Sequence, residues 1–548
     1  MYKQVFVQHR FVWALPMQTF SFDFRDPIFM LGQWQISVQA ITLENVYGLD
    51  PHRAILREDE GGWSLTCDGL RWAGQQESAP GRVALTARRG PGQRLRIGLR
   101  IDAPHRIRAA KLMLRGLPPL SALDVFVEEI SASPAGLLET YPNRRQLPLL
   151  FARRPDGVLI GLRSEDPHCR AKRFAIVQET MGPLAGTTTL ECIHEEDARW
   201  FDTSLDVPEW VIDIGVAVDA FRGEQLAYEE AALGLVPWEQ RADVPAWARE
   251  IGLCVTLHGM HWTGAIFNTY DQMLAALRFV TDRIDGRRVL AYLPGWEGRY
   301  YWQYGDYRPE PRLGGAEGFA RLCAGARERG VHLMPMFGAN CANAWHPDFH
   351  TFGPSSYMKS ATRNIFHGNQ PDWDASRAHD TGWQAWLNPG APAWQTELTR
   401  QILRLIDRYE LDAVFLDTVE VWINDPDFNL REGYRQLVDR LRAGRPDLLV
   451  TGEDWWDGLL PIFPIFQRSA RWRRVPEWVG RYARIIGHIC DGDPSRGSTG
   501  VFEAGHAAYQ PLPDHPLYIP TVAFVDGTLD HAQPAIQAEI DRARQRLR

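Results

Sequence analysis

A change of pattern near residue 249 constrains the fold more than anything else in this chain. From there on, short runs that are apolar nearly throughout alternate with helical periodicity for about 300 residues. GLCVTLHG (252–259), RVLAYLPGW (288–296), VHLMPMFGAN (331–340), LDAVFLD (411–417) and DLLVTGE (447–453) are strand-like. Helical patterns separate them at 270–284, 316–330, 393–410 and 432–444, and a last one covers 535–548. RIIGHICDGD (484–493) and IPTVAFVDG (519–527) are late strands, and a sixth strand is expected somewhere in 460–480. Strands apolar on both faces belong to a parallel sheet covered by helices. The length is that of a (β/α)8 barrel, about 250 residues, rather than a shorter open sheet. LHGMHWTG, after the first strand, carries neither a dinucleotide nor a phosphate-loop glycine pattern.

The first 235 residues follow a different rule. RLRIGLRID (94–102), LDVFVEEI (123–130), GVLIGLRSE (157–165), RFAIVQET (173–180) and WVIDIGVAVD (210–219) are punctuated by Gly, Pro and Asp, and predict an antiparallel sandwich. One helix (224–235) and a proline-bearing linker (236–248) follow. The domain boundaries expected are thus 1–240 for a β-sandwich domain and 241–548 for a barrel. The fold class is α/β, a (β/α)8 TIM barrel preceded by an all-β domain.

Composition narrows the partners. Of the 548 residues 45% are hydrophobic and 23% charged, as in globular proteins with sizeable cores. With 60 basic against 68 acidic residues, a net charge of −8 and no basic run, nucleic acid is not expected as a partner. No apolar run approaches the ~18 residues of a membrane span. MYKQVFVQHRFVWALP lacks the layout of a signal peptide, so a cytoplasmic location is expected, with secretion the alternative if the start is a processed one. The seven cysteines are scattered, without a CxxC pair, and predict reduced buried thiols rather than zinc or a disulfide framework. Fourteen of the 21 tryptophans lie after residue 240. Their flat faces suit sugar rings as well as cores, which tilts the expected partner towards carbohydrate. Nothing in the sequence speaks to oligomeric state.

Barrel enzymes carry their reactive groups at the carboxyl ends of the strands. Those ends hold His258, His261, Trp296, Glu297, Asn340, Asp417, Glu420, Glu453, Asp454, His488, Asp491 and Asp526. Asp417 and Glu453 stand one α/β unit apart, so they end neighbouring strands about 4.8 Å apart. Such carboxyls can approach to about 5–5.5 Å, the separation of nucleophile and acid/base in a retaining glycosidase. Asp417 would stay ionised, and Glu453, beside Trp455 and Trp456, would be raised towards neutrality. Glu420, Asp454, Asp491 and Asp493 compete for the same roles. Sugar contacts are expected from His258, His261, Trp262, Trp296, Tyr301, Trp302, Asn340, Trp386, Trp422, Asp454, Trp455, His488 and Asp491. GWEGRYYWQYGDYRP (295–309) is read as a substrate-facing loop. His258 and His261 could alternatively start a metal site, but no third ligand is visible, and neither metal nor cofactor is expected. NDPDFN (424–429) and DGDPS (491–495) are turns rather than calcium loops.

FLDTVE (415–420), LNPGAPAW (387–394) and VTGEDWW (450–456) resemble retaining glycoside hydrolase barrels, most nearly the endo-α-N-acetylgalactosaminidase-like families. Polygalactosaminidase and α-galactosidase barrels are looser relatives. The α-amylase family needs an Arg two residues before the Asp, where this chain has Phe415. The resemblance implies a β-supersandwich before the barrel, Asp417 as nucleophile and Glu453 as acid/base on an α-glycosidic bond. The competing readings are a non-catalytic carbohydrate-binding barrel and a metal-dependent hydrolase using His258 and His261.

Overall fold

The computed structural model describes residues 20–22, 26–130, 136–261, 264–366, 383–468, 474–487, 512–525 and 527–547. The chain divides into two compact units, Met1–Gly234 and Leu235–Arg548.

The first unit is built on two antiparallel sheets, one of ten strands and one of eight. Alternation explains them. In Gln93–Asp102, Leu95, Ile97, Leu99 and Ile101 are buried while the intervening arginines face outward. Its partner Ser204–Ile214 pairs Leu95 with Ile212, and the register shifts between Ile97 and Leu99. The sheets meet through apolar faces, where Phe174 of one packs edge-on against Trp210 of the other at 5.8 Å. Two sequence expectations need correction. LDVFVEEI is a strand only at its first residue, the end of Ser121–Leu123. Beyond it the Asp124 carboxylate accepts from the amides of Phe126 at 2.8 Å and Glu128 at 2.9 Å, and Val127 turns to φ 65°. A short polar side chain that bonds its own backbone competes with the ladder. The helix starts earlier than its pattern suggests, at Val218, because the strand stops at Ile214 and Gly215 turns the chain. It ends on Gly234, whose left-handed backbone presents its N–H to the Glu230 carbonyl.

The second unit is a nearly closed parallel barrel of eight strands. We number them β1 (Leu253–Leu257), β2 (Val289–Leu293), β3 (His332–Gly338), β4 (Ala413–Asp417), β5 (Leu449–Glu453), β6 (Ile465–Arg468), β7 (Arg484–Gly487) and β8 (Thr521–Phe524). From β1 to β7 each pairs with the next, and β8 pairs with β1. On the remaining seam, a parallel bridge joins Ile485 of β7 to Tyr518, just before β8. Every residue of β1, β2 and β4 is buried, as strands covered on both sides require.

Helices α1 (Tyr270–Thr281), α2 (Gly315–Glu328), α3 (Pro392–Tyr409) and α4 (Leu430–Gly444) follow the first four strands, and α5 (Gln533–Arg546) follows the last. A capping box between Thr269 and Gln272 starts α1. LNPGAPAW starts α3: the Asn388 carboxamide oxygen accepts from the Gly390 amide at 2.8 Å, and Pro392 takes the first helical position. After β5 the described connection has only the short 3-10 turn Asp457–Leu459. The strand–helix alternation lapses there, which is why the pattern left β6 unplaced. The insertion at 341–390 forms a two-stranded ribbon, Cys341–Asn343 with Gln384–Trp386.

The six described cysteines are buried, and burial pushes the Cys254 thiol up to about 12. Cys490 lies outside the described residues. Among the described residues, no helix is long and apolar enough to cross a membrane.

Candidate active site

Because all eight strands run parallel, their carboxyl ends gather on one face of the barrel. The β4–β5 pairing runs from Ala413↔Leu449 to Leu416↔Gly452 in an unbroken register. One step further come Asp417 and Glu453, so strand pairing alone brings the two carboxyls side by side.

They differ in surroundings. Asp417 is 5% exposed, and its Oδ2 accepts the Tyr304 hydroxyl hydrogen at 2.6 Å. Glu453 is half-buried, and its Oε2 accepts the backbone N–H of Thr418 at 2.9 Å. The two carboxyls are close enough for Asp417 to act on the titration of Glu453. Burial pushes the Glu453 carboxyl above the ordinary carboxylate range, against the pull of Asp417 and the Thr418 amide.

Two further carboxyls crowd this pair. Glu297, in the loop after β2, is 1% exposed, and neither of its oxygens has a partner from another residue among those described. Burial, then the charge of Asp417, raises it well above its usual value. Glu420 is raised likewise, by burial and then by Glu453 and Asp454. A cluster of this kind cannot ionise completely in a low-dielectric site, so some of it stays protonated at neutral pH. That is the requirement for proton donation by a carboxylic acid.

The backbone is strained at the same place. Tyr301, Thr418 and Asp454 have φ of 64°, 63° and 51°, in a region that residues with a Cβ avoid. The turn at Asp454 sends its amide to the Gln467 carbonyl of β6 at 2.8 Å, while its carboxylate accepts from the Trp455 amide at 3.0 Å. Asp454 is 2% exposed.

The residues expected to contact sugar fall into three groups. His258 and His261 are brought together, with ring centroids 5.9 Å apart, and both pack on Phe267 and Tyr300. Among the described residues, no group of three His, Cys, Asp or Glu is placed to hold a metal. Tyr301, Trp302 and Trp422 are half-buried, and the Trp302 ring meets Trp345 and Trp383 edge-on at 5.7 and 5.0 Å.

The third group turns inward, and His258 and His261 are as deeply buried, at 4% and 1% exposure. Trp296 is fully buried, stacks on Phe319 at 5.0 Å and donates its indole N–H to the Met336 carbonyl at 2.9 Å. It is a core residue between β2, β3 and α2. Asn340 is fully buried, its carboxamide taken up by Thr418 and Tyr434. Trp386 and Trp455 are buried at 9% and 1% exposure. The Trp296 indole and the Asn340 amide found partners inside, which strand-end position alone does not reveal. The substrate-facing loop divides the same way: Tyr304 and Tyr307 are fully buried, and Tyr300 to Trp302 keep some exposure. Trp262, His488, Asp491, Asp493 and Asp526 lie outside the described residues.

Sequence reasoning passed over Tyr304 and Thr418. Tyr304 stood inside a run of four tyrosines, and nothing local singled out which one would reach Asp417. Thr418 offers an amide, which no sequence motif marks.

Structure comparison finds α-N-acetylgalactosaminidase NagBb from Bifidobacterium bifidum in complex with GalNAc, at a TM-score of 0.60 and 14% identity, covering 94% of this chain and 90% of that one. This chain shares the NagBb fold. Ligand-free NagBb matches at a TM-score of 0.58 and 14% identity, over 97% of this chain and 93% of its own. The GH36 α-galactosidase AgaA from Geobacillus stearothermophilus matches at 0.48 and 10% identity, over 93% and 75%. No protein-family model matches the sequence. No curated protein matches it either.

Proposed function

We propose that this chain is a retaining glycoside hydrolase that cleaves an α-glycosidic bond in a glycan or glycoconjugate, with a (β/α)8 catalytic barrel and a supersandwich-like first domain. The observation that carries the proposal is the pair of unlike carboxyls ending adjacent strands: Asp417, held by a phenol, and Glu453, raised by burial. The fold shared with NagBb, solved with GalNAc, supports the same reading and makes an α-linked GalNAc the first substrate to try.

In this reading the sugar binds at the two carboxyls. The Asp417 carboxylate attacks the anomeric carbon as the bond to the leaving oxygen breaks, and Glu453 gives that oxygen its proton. The Glu453 carboxylate then takes a proton from water. The resulting hydroxide-like oxygen attacks the anomeric carbon and releases Asp417. Two displacements at one carbon restore the α configuration. His258, His261, Tyr301, Trp302 and Trp422, with Trp262, His488 and Asp491, are the residues we assign to the sugar and its surroundings.

Hydrolysis of aryl α- and β-glycosides of GalNAc, galactose and glucose, with NMR of the anomer released first, tests the proposal. Turnover with α retained supports it. Inversion would assign the carboxyls different roles. No turnover of these glycosides or of α-linked oligosaccharides by folded protein would leave a carbohydrate-binding barrel as the better reading.

A further inference from the structure

We infer that Asn340 is a positioning residue for Glu453 and acts through Thr418, by clamping that residue in the backbone conformation that aims its amide at the carboxyl. The role given to Glu453 rests on the glycosidase reading, whereas the clamp is a matter of geometry.

Thr418 directly follows Asp417 and has φ 63°. A β-branched residue is a poor choice there, since its Cβ crowds the carbonyl that follows and glycine would sit freely. Something must hold it, and Asn340, two residues past β3, grips it at two points. The Asn340 Nδ2 donates to the Thr418 carbonyl at 2.7 Å, and its Oδ1 accepts the Thr418 hydroxyl hydrogen. That hydroxyl oxygen also lies 2.7 Å from the Asp417 carbonyl. Asn340 is itself immobile: it is fully buried, its Nδ2 also donates to the Tyr434 hydroxyl at 3.0 Å, and its carbonyl accepts the Leu387 amide at 2.6 Å. With Thr418 so held, its N–H reaches Glu453 Oε2 at 2.9 Å.

An amide aimed at a carboxyl favours the ionised form and opposes the burial that favours the acid. Release of Thr418 therefore has two effects. Glu453 loses the donor that orients it, and its proton is held more tightly. A residue that merely fills space would lower activity without moving the proton.

The test compares N340A, T418G and their combination with the wild type, on the best glycoside found for it. N340A should lower kcat about tenfold or more while KM changes little, and move the basic limb of the kcat profile to higher pH. T418G keeps the amide on a residue at ease with positive φ, so it should lose less than N340A. Added to N340A it should restore much of the lost rate and return the basic limb. If N340A does not fold, T418V removes the hydroxyl half of the clamp in nearly the same volume and should shift the limb in the same direction. An unshifted limb, with a double variant no better than N340A, overturns the proposal.

Titration of the Glu453 carboxyl by infrared difference spectroscopy, with E453Q as the reference, separates this inference from the glycosidase reading. If the wild type hydrolyses no glycoside, that reading fails, yet a Glu453 proton held to higher pH in N340A or T418V still supports the clamp. An unchanged titration overturns the clamp whatever the activity.

Discussion

The Tyr304 hydroxyl donates to Asp417 Oδ2 at 2.6 Å from a residue 113 positions away in sequence. Tyr304 is fully buried, and burial keeps its phenol well above the usual tyrosine range, so it serves as a donor and not as a base. This strong donor holds Asp417 Oδ2 and so helps to orient the carboxylate. Tyr304→Phe removes the donor and leaves a buried carboxylate short of a partner, worth about 1.5–3 kcal/mol for a bond to a charged group. The expected loss in kcat/KM is roughly 10- to 100-fold, measured on the preferred glycoside, with the fold kept by circular dichroism.

Glu453→Gln removes the proton donor but not the nucleophile. On aryl glycosides whose phenolate departs unaided, formation of the glycosyl-enzyme should survive, and a burst of phenol should precede slow turnover. On substrates with a sugar or alkyl leaving group the rate should fall about 10²- to 10⁴-fold, the usual contribution of general acid catalysis. Asp417→Asn should abolish both reactions. Rapid-quench kinetics on the two substrate classes checks the split, and an equal loss on both would remove the acid/base role from Glu453.

Glu297 bears on stability and its pH dependence. Its folded carboxyl is raised by burial, so the folded state holds a proton that the unfolded chain releases above about pH 4.3. The folded state binds more protons across that window, and stability is lost as pH rises from the ordinary glutamate value through the raised one. Glu297→Gln keeps the shape without the titration. Its stability relative to wild type should therefore increase with pH, by at most about 1.4 kcal/mol per unit, in urea unfolding at pH 5, 6.5 and 8.

In the first unit, Lys172 is wholly buried and donates to Asp166 Oδ2 at 2.6 Å and to the Arg170 carbonyl at 2.8 Å. Asp166 also binds Arg170, and these cations hold its carboxyl far below the usual range. Lys172→Met would leave Asp166 buried beside one cation fewer, at a cost of about 3–5 kcal/mol. Chemical denaturation followed by tryptophan fluorescence should show the loss as an earlier transition.

Local pattern carried the reading of this chain a long way. Gln93–Asp102 alternates strictly, and its burial follows that alternation residue by residue. The helices α1 to α4 start within a few residues of their sequence boundaries, because caps such as Thr269 with Gln272 are local chemistry. Where local pattern misled, a specific contact had overruled it. Asp124 bonded its own backbone and ended a strand early, and the connection before β6 formed a 3-10 turn in place of a helix. The aromatics were the least legible. Trp296 and Trp302 lie six residues apart in one polar-aromatic run, yet the first stacks on Phe319 in the core and the second keeps some exposure beside Trp345.

The sequence by itself determined the strand ends and therefore the neighbourhood of Asp417 and Glu453. Two apolar runs separated by one helix leave parallel strands little choice but to pair, and a constant register carries the last residue of each to the same level. Only the tertiary structure decided what surrounds that pair. The Tyr304 hydroxyl, the Thr418 amide and the Asn340 clamp come from the segments that follow β2, β4 and β3, and each depends on directions in space that residue type does not encode. The physical reason is one of range. Burial and alternation are properties of neighbours along the chain, whereas the hydrogen bonds that distinguish one carboxyl from another form between segments that only the closed barrel brings together.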